Sequence, residues 1–432
     1  MISGKQLLSI LIGAAIGAGG WMVGHQESRK GNGAAPDDLR SQLHNAQEQV
    51  AMLEKENISL RSLAQGGGEV AVPQEMISRV EKDYGVTFLS SPVFHMIARE
   101  ELGYRVEAAI ESRLGPQGID DRQEAWRLLG ILNEKDELLE LLSAVKSVGQ
   151  LGWFDEGTGE AWLTDQFDLE NIPDQALMLR LLTRILLNQH FPAPSAYPGD
   201  DAERAWEALH EGAAAGTEAR YFAESAKRIG FLPMNENTAK SRLLLAMPEF
   251  IQGLVQFPTV AGRALADSLY VKGTDELAEK LANIPDDTFG IVLPGENGRS
   301  GKITFSKMED EMYLRESAGY LGLRLWIAET GDHALAGEIA SDWVKDGYLL
   351  FSDGESSSAI VWEVELETKA TSGKFESVAL HFIAALAGKE AAPKLGEIVT
   401  SRDGRFLRIL RKSDRSVVFL NTATRETAAR EW

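Results

Sequence analysis

Cysteine is absent from all 432 residues. Its absence excludes disulfides, thiolate metal sites, a cysteine nucleophile and a lipid-modified cysteine anchor. Histidine is scarce: the seven are His25, His44, His95, His190, His210, His333 and His381, and no two stand at the spacing of paired helical metal ligands. An excess of positive charge is missing too. The formal net charge is -21, which argues against binding a phosphate backbone and so against a nucleic-acid partner; charge of this sign keeps a chain soluble. There is no G-x-S-x-G turn, Walker loop or dinucleotide fingerprint, and no repeat of solenoid period. Acidic pairs such as Asp155/Glu156 and Asp200/Asp201 read as solvated turn residues rather than a glycosidase couple. What is present is ordinary: a hydrophobic content of 44% supplies a full core, and the length admits two or three structural units.

Residues Gln6 to Gly24 carry no charge, and Trp21, Met22 and Val23 extend the apolar run toward Arg29 and Lys30. Residues 1–30 therefore read as a single-pass membrane anchor; a cleaved signal peptide shares the pattern. In residues 37–65, Leu39, Ala46, Leu53 and Leu60 fall at heptad position d, and Leu43, Val50, Asn57 and Ala64 at a. A seam of this kind predicts a coiled coil, and a buried Asn at a favours a parallel homodimer through residues 39–64. A lone amphipathic helix is the other reading. The glycines of residues 66–71 make a flexible linker.

Beyond the linker the pattern is mostly helical with short strands, an α+β arrangement with strands gathered in at least two places. Residues 72–300 and 301–432 are read as two parts of one domain. Strands are expected at Pro92–Ala98 and in a hairpin over Gln150–Asp165, turning at Glu156-Gly157-Thr158-Gly159. Helices are expected at Pro173–His190, Asp201–Arg228, Lys307–Thr330 and Ser372–Ala387. The stretch from Ile229 to Ser300 is broken by Gly and Pro. The last forty or so residues alternate as about three short strands.

The order of motifs from Val86 onward resembles a bacterial family of exported gluzincin-type zinc peptidases. "GWFDEGTGEAWLTD" stands where that family has a hairpin, and "RLLTRILLNQHF", Arg180 to Phe191, stands where it has the zinc helix H-E-L-T-H-A-L-Q-D-Q-H-F. "ALHEGAA", Ala208 to Ala214, matches the helix of the third zinc ligand and puts Glu211 at the ligand position. "FPTVAG", "SAGYLGLRLWI", "VWEVELET" and "TSRDGRFLRILR" follow in the family's order. The resemblance implies a mostly helical gluzincin-like fold, export, and a main domain on the periplasmic side of the inner membrane.

The chemistry departs from the family. A gluzincin needs two imidazoles at i and i+4, a Glu beside the first, and a third ligand from another helix. Arg180, Leu181 and Arg184 occupy the three helix positions, and only Glu211 is retained. A guanidinium has no lone pair for zinc, and leucine moves no proton, so no catalytic residue, metal or cofactor is expected. Arg180, Thr183, Arg184 and Asn188 are expected to share one polar stripe, facing either solvent or the former cleft. In the second case the guanidinium groups take the metal's place and neutralise Glu211, and also Glu207 one turn earlier. Thr183, Asn188, His190, Glu207 and His210 complete the candidate groove. The resulting expectation is a catalytically inactive, membrane-tethered binding or scaffolding module for an envelope protein or peptide. An active hydrolase with atypical residues and a purely structural envelope protein are the alternatives.

Overall fold

In the computed structural model, residues 70–229, 238–295, 303, 305, 312–354 and 357–432 are described. The expected anchor, coiled coil and residues 66–69 of the linker lie outside them. Helix α1 (Gln74–Tyr84) ends at Gly85, whose φ of 70° suits a left-handed cap. Strand β1 (Phe94–Ile97) leads into α2 (Glu101–Leu128), which kinks at Gly115 (φ 70°) just before Pro116. Proline disfavours a helical residue ahead of it, and glycine takes the left-handed backbone that results. Helix α3 (Leu138–Ser147) follows, then the hairpin β2 (Gly152–Asp155) and β3 (Glu160–Thr164). β3 lies between the other two strands, parallel to β1 and antiparallel to β2.

Helix α4 (Ile172–His190) begins with Pro173 in its first turn, where a missing N–H removes no helical bond. It buries Met178, Leu179, Leu182, Ile185 and Leu186 completely or nearly so, as a helix apolar almost all round must. The 30-residue α5 (Asp200–Ile229) packs along it and spans about 45 Å. The described residues of the Gly- and Pro-broken stretch beyond it are largely helical. It holds α6 (Thr238–Ala246), α7 (Glu249–Phe257), a π turn (Pro258–Gly262), α8 (Arg263–Lys272), α9 (Thr274–Ala282) and α10 (Phe289–Val292). Pro248, Pro258 and Gly273 sit at junctions between these pieces; they punctuate helices instead of forbidding them.

The C-terminal part holds β4 (Met312–Glu316), α11 (Gly319–Ala328), α12 (His333–Ser341), β5 (Trp343–Ser352), β6 (Ser358–Leu366), α13 (Lys369–Leu386), β7 (Val399–Thr400), β8 (Phe406–Arg411), β9 (Ser416–Thr422) and α14 (Arg425–Ala429). The expected helix Lys307–Thr330 is corrected here. Residues 312–316 pair antiparallel with β5, Glu316 opposite Tyr348, and the helix starts only at Gly319 (φ 69°). The backbone there lies against the Asp201 carboxylate, 2.0 Å from where a Cβ would stand, so the chain turns at the residue that lacks one. The sheet runs β4-β5-β6-β9-β8-β7, antiparallel throughout.

Trp326 and Phe375 pack on Trp362 of the sheet, and Phe382 packs on Phe419. One continuous apolar cluster runs from Val70 to Phe419 through both sheets, and residues Gln65–Trp432 form one α+β unit. Among the described residues no helix is long and apolar enough to cross a membrane.

Candidate functional site

Helices α4 and α5 meet with their polar groups facing each other. Arg180 and Arg184 stand one turn apart on α4, and Glu211 answers them from α5. Arg180 donates through Nη2 to Glu211 Oε1 and through Nη1 to Glu218 Oε2 at 2.9 Å. Arg184 donates through Nη2 to Glu156 Oε1, and its Nη1 lies 3.6 Å from Glu211 Oε2, an ion pair without a hydrogen bond. The guanidinium of Arg184 also sits 5.3 Å from the Phe154 ring and 5.6 Å from Trp206. Its side chain is only 4% exposed, so the reading of two ordinary surface arginines does not hold.

Two glycines bring the π turn against α5 behind Glu211. A Cβ on Gly212, next to Glu211, would stand 2.2 Å from the Gly262 carbonyl carbon, and one on Gly262 would stand 2.0 Å from the Ala208 oxygen. Backbone meets backbone, and the π turn is held directly against α5.

Beside the charged groups lies a cavity of about 330 Å³, lined at its apolar side by Leu142, Leu177, Leu181, Leu244, Leu254 and Val255, with Trp126, Trp153 and Phe154. Arg180, Leu181, Arg184, Glu207 and Glu211 all line it, as do Arg113, Lys146, Glu156, Glu203 and Lys240. Burial works against the charge on Glu211, but Arg180 and then Arg184 outweigh it and hold its carboxyl below the usual range. The same burial opposes the charge on Arg180, and Glu211 and Glu218 more than restore it. Glu207 differs from expectation. It pairs with Lys146 at 2.9 Å rather than primarily with the arginines, and chiefly that lysine brings its carboxyl down to about 2.

Four of the candidate groove residues do not line the cavity. Thr183 is fully buried and its hydroxyl donates back to the Leu179 carbonyl at 2.8 Å, so it leaves the stripe expected of it. The threonine points into the core because it lies off the Arg180–Arg184–Asn188 line, about a quarter of a turn round the helix. Asn188 sits under the hairpin, its Nδ2 3.4 Å from the Cβ position of Gly159. His190 lies at the helix end with Nε2 2.8 Å from the Thr87 oxygen. His210 is buried and stacked on Trp206, ring centroids 3.9 Å apart; burial, then the charge of Arg184, keep it far below the usual histidine range.

The acidic pairs read as solvated turns are corrected as well. Glu156 holds Arg184, Asp200 accepts from Arg122 Nη2 at 2.6 Å, and Asp201 is 4% exposed. Glu218 carried a signal that was not used: it stands seven residues after Glu211, two turns along one face. Arg113, Lys146 and Lys240 come from separate elements, and nothing local in the sequence ties them to this place. Among the described residues no group of three or more His, Asp or Glu side chains is arranged to hold a metal ion.

No family model, curated protein or solved structure matches the chain.

Proposed function

We propose that this chain is a catalytically inactive relative of the gluzincin zinc peptidases, serving as a binding or scaffolding module of the bacterial envelope. Its fold is then a gluzincin-like one whose former substrate cleft, the cavity beside α4 and α5, holds a peptide or partner segment without cutting it. Residues 1–30 tether it to the inner membrane with the main domain periplasmic, and residues 39–64 pair two copies in parallel. The observation that carries the reading is the double salt bridge of Arg180 and Arg184 to Glu211. At the positions where the family resemblance puts two zinc imidazoles, two permanent cations neutralise the remaining ligand carboxylate. The catalytic positions have thus become a charge-compensated wall of a part-apolar cavity of small-molecule or side-chain size.

The test uses the full-length protein and a mixed pool of short peptides. Peptides are expected to be retained intact, less so by a Leu254→Trp variant that fills the cavity. Zinc by plasma mass spectrometry is expected to be far below one per chain. Stoichiometric zinc, or peptide cleavage that a chelator abolishes, overturns the reading.

A further inference from the structure

Arg184 is enclosed among polar atoms that lack hydrogen-bond partners. Its own Nη1, the Tyr197 hydroxyl, Asn188 Oδ1 and both ring nitrogens of His210 are buried and unpaired. Tyr197 and His210 flank Trp206, at 6.2 and 3.9 Å between ring centroids, and Arg184 lies over the same indole. A buried polar atom without a partner costs about 1–3 kcal/mol, and one on a guanidinium stands for the stronger, charge-assisted kind of bond. The unused donors are an arginine Nη, a phenol and one imidazole N–H. Of these three, Arg184 is the one whose residue lines the cavity, and an oxygen acceptor there satisfies its Nη1.

Only one half of the Arg184 fork is in use. Nη2 is held by Glu156, while Glu211, already committed to Arg180, stands too far from Nη1 to bond it. Glu156 is 28% exposed and rides on the β2–β3 turn between Asp155 and Gly157, with Gly159 beyond it. It is a side chain that can leave, whereas Arg184, at 4% exposure, cannot.

Resting on the binding reading above, we infer that the cavity takes an apolar ligand ending in a carboxylate, which displaces Glu156 and engages both Nη atoms of Arg184. A planar carboxylate matches the guanidinium fork. Exchanging one carboxylate for another leaves the charge beside Glu207 and Glu211 unchanged, so the acidic neighbours do not oppose entry. The tail lies along Leu177, Leu181, Leu244, Leu254 and Val255. Two sources of this chemistry fit, a free branched-chain acid and the C-terminus of a peptide. Nη1 is closed off from water until the exchange takes place.

Calorimetric titration of the full-length protein with 4-methylpentanoate, its amide, N-acetyl-alanyl-leucine and that peptide's C-terminal amide tests this. One acid or both should bind about tenfold or more tightly than the matching amide, the worth of one charge-assisted bond. Binding of the acid alone, or of the peptide alone, identifies the source. Glu156→Gln weakens the internal competitor and should tighten acid binding several-fold, leaving the amides unchanged. Arg184→Lys, checked by its melting curve, should bring the acids down to the amides. Equal binding of acid and amide by the parent and by Glu156→Gln overturns the inference and leaves the binding module standing. No saturable binding by either protein overturns the inference too, and the binding module falls with it only if the peptide pool is also not retained.

Discussion

At the six-stranded sheet, Asp346 is enclosed by donors that carry no charge; at the cavity, Glu211 is enclosed by two guanidinium groups. Asp346 accepts from Ser317 Oγ, the Ala318 and Gly319 amides, and the indoles of Trp343 and Trp362, all between 2.8 and 3.0 Å. Backbone amides and packed indoles are fixed in place by the fold, with the Gly319 amide also reaching Ser317 Oγ at 3.1 Å. Arg180 and Arg184 each reach two carboxylates with long side chains, so their pairing can be exchanged without unfolding anything. A carboxylate held by neutral donors is a structural joint. One held by shared cations belongs to a surface that can trade partners.

The comparison is broken most severely at the joint. Asp346→Ala takes the acceptor from five interior donors, of which the Gly319 amide keeps Ser317 Oγ at 3.1 Å; at 1–3 kcal/mol for each of the other four the loss is about 5 kcal/mol or more, enough to unfold many domains. Urea unfolding followed by near-ultraviolet circular dichroism measures it. A loss under about 2 kcal/mol would mean that water reaches these donors and that no closed joint exists.

Asp201 lies between the two cases. It starts the cavity helix α5, yet its partners are neutral: the Thr288 amide at 3.0 Å and hydroxyl at 2.8 Å. Burial outweighs those bonds and the charge of Arg204, and its carboxyl is pushed up to about 7. The folded state therefore holds this proton more tightly than the unfolded chain, whose carboxyl titrates near 3.8. The contribution is fully present below about pH 4 and is lost as pH rises toward 7, by about 4 kcal/mol. Asp201→Asn should remove that decline, so the difference in melting temperature between variant and parent grows in the variant's favour from pH 4 to 8. A constant difference across that range would show that Asp201 does not titrate there.

Period and punctuation made much of this fold legible. The hairpin around Glu156–Gly159 and the opening helix with its early proline follow from turn residues and apolar spacing. Residues 312–316 depart from the expected helix because a Met-Tyr-Leu-Arg-Glu run fits a helix as well as a strand; pairing with Leu349 and Leu350, distant in sequence, decides it. At the site, i, i+4 spacing joined Arg180 to Arg184, and the Arg180–Glu211 contact was expected from the family resemblance. Lys146 and Glu156 were out of reach because their role depends on where α3 and the hairpin dock. The burial of Thr183 depends on which side of α4 meets the core, and a helix apolar nearly all round does not reveal that; the burial of His210 depends on how α5 packs against its neighbours.

The smallest effect expected is the most informative about the cavity. Glu211→Ala leaves Arg180 with Glu218 and Arg184 with Glu156, so the loss stays below the 3–5 kcal/mol typical of breaking a buried pair, at about 2 kcal/mol. Replacing both charges, Arg180→Met with Glu211→Leu, should recover most of it, because Glu218 is 23% exposed and can be hydrated. The coupling between the two positions, read from the four melting curves, is then favourable and shrinks little in salt, as befits a pair screened from solvent. If Glu211→Ala melts like its parent, the carboxylate needs no cation, and the contrast between a fixed joint and an exchangeable one disappears.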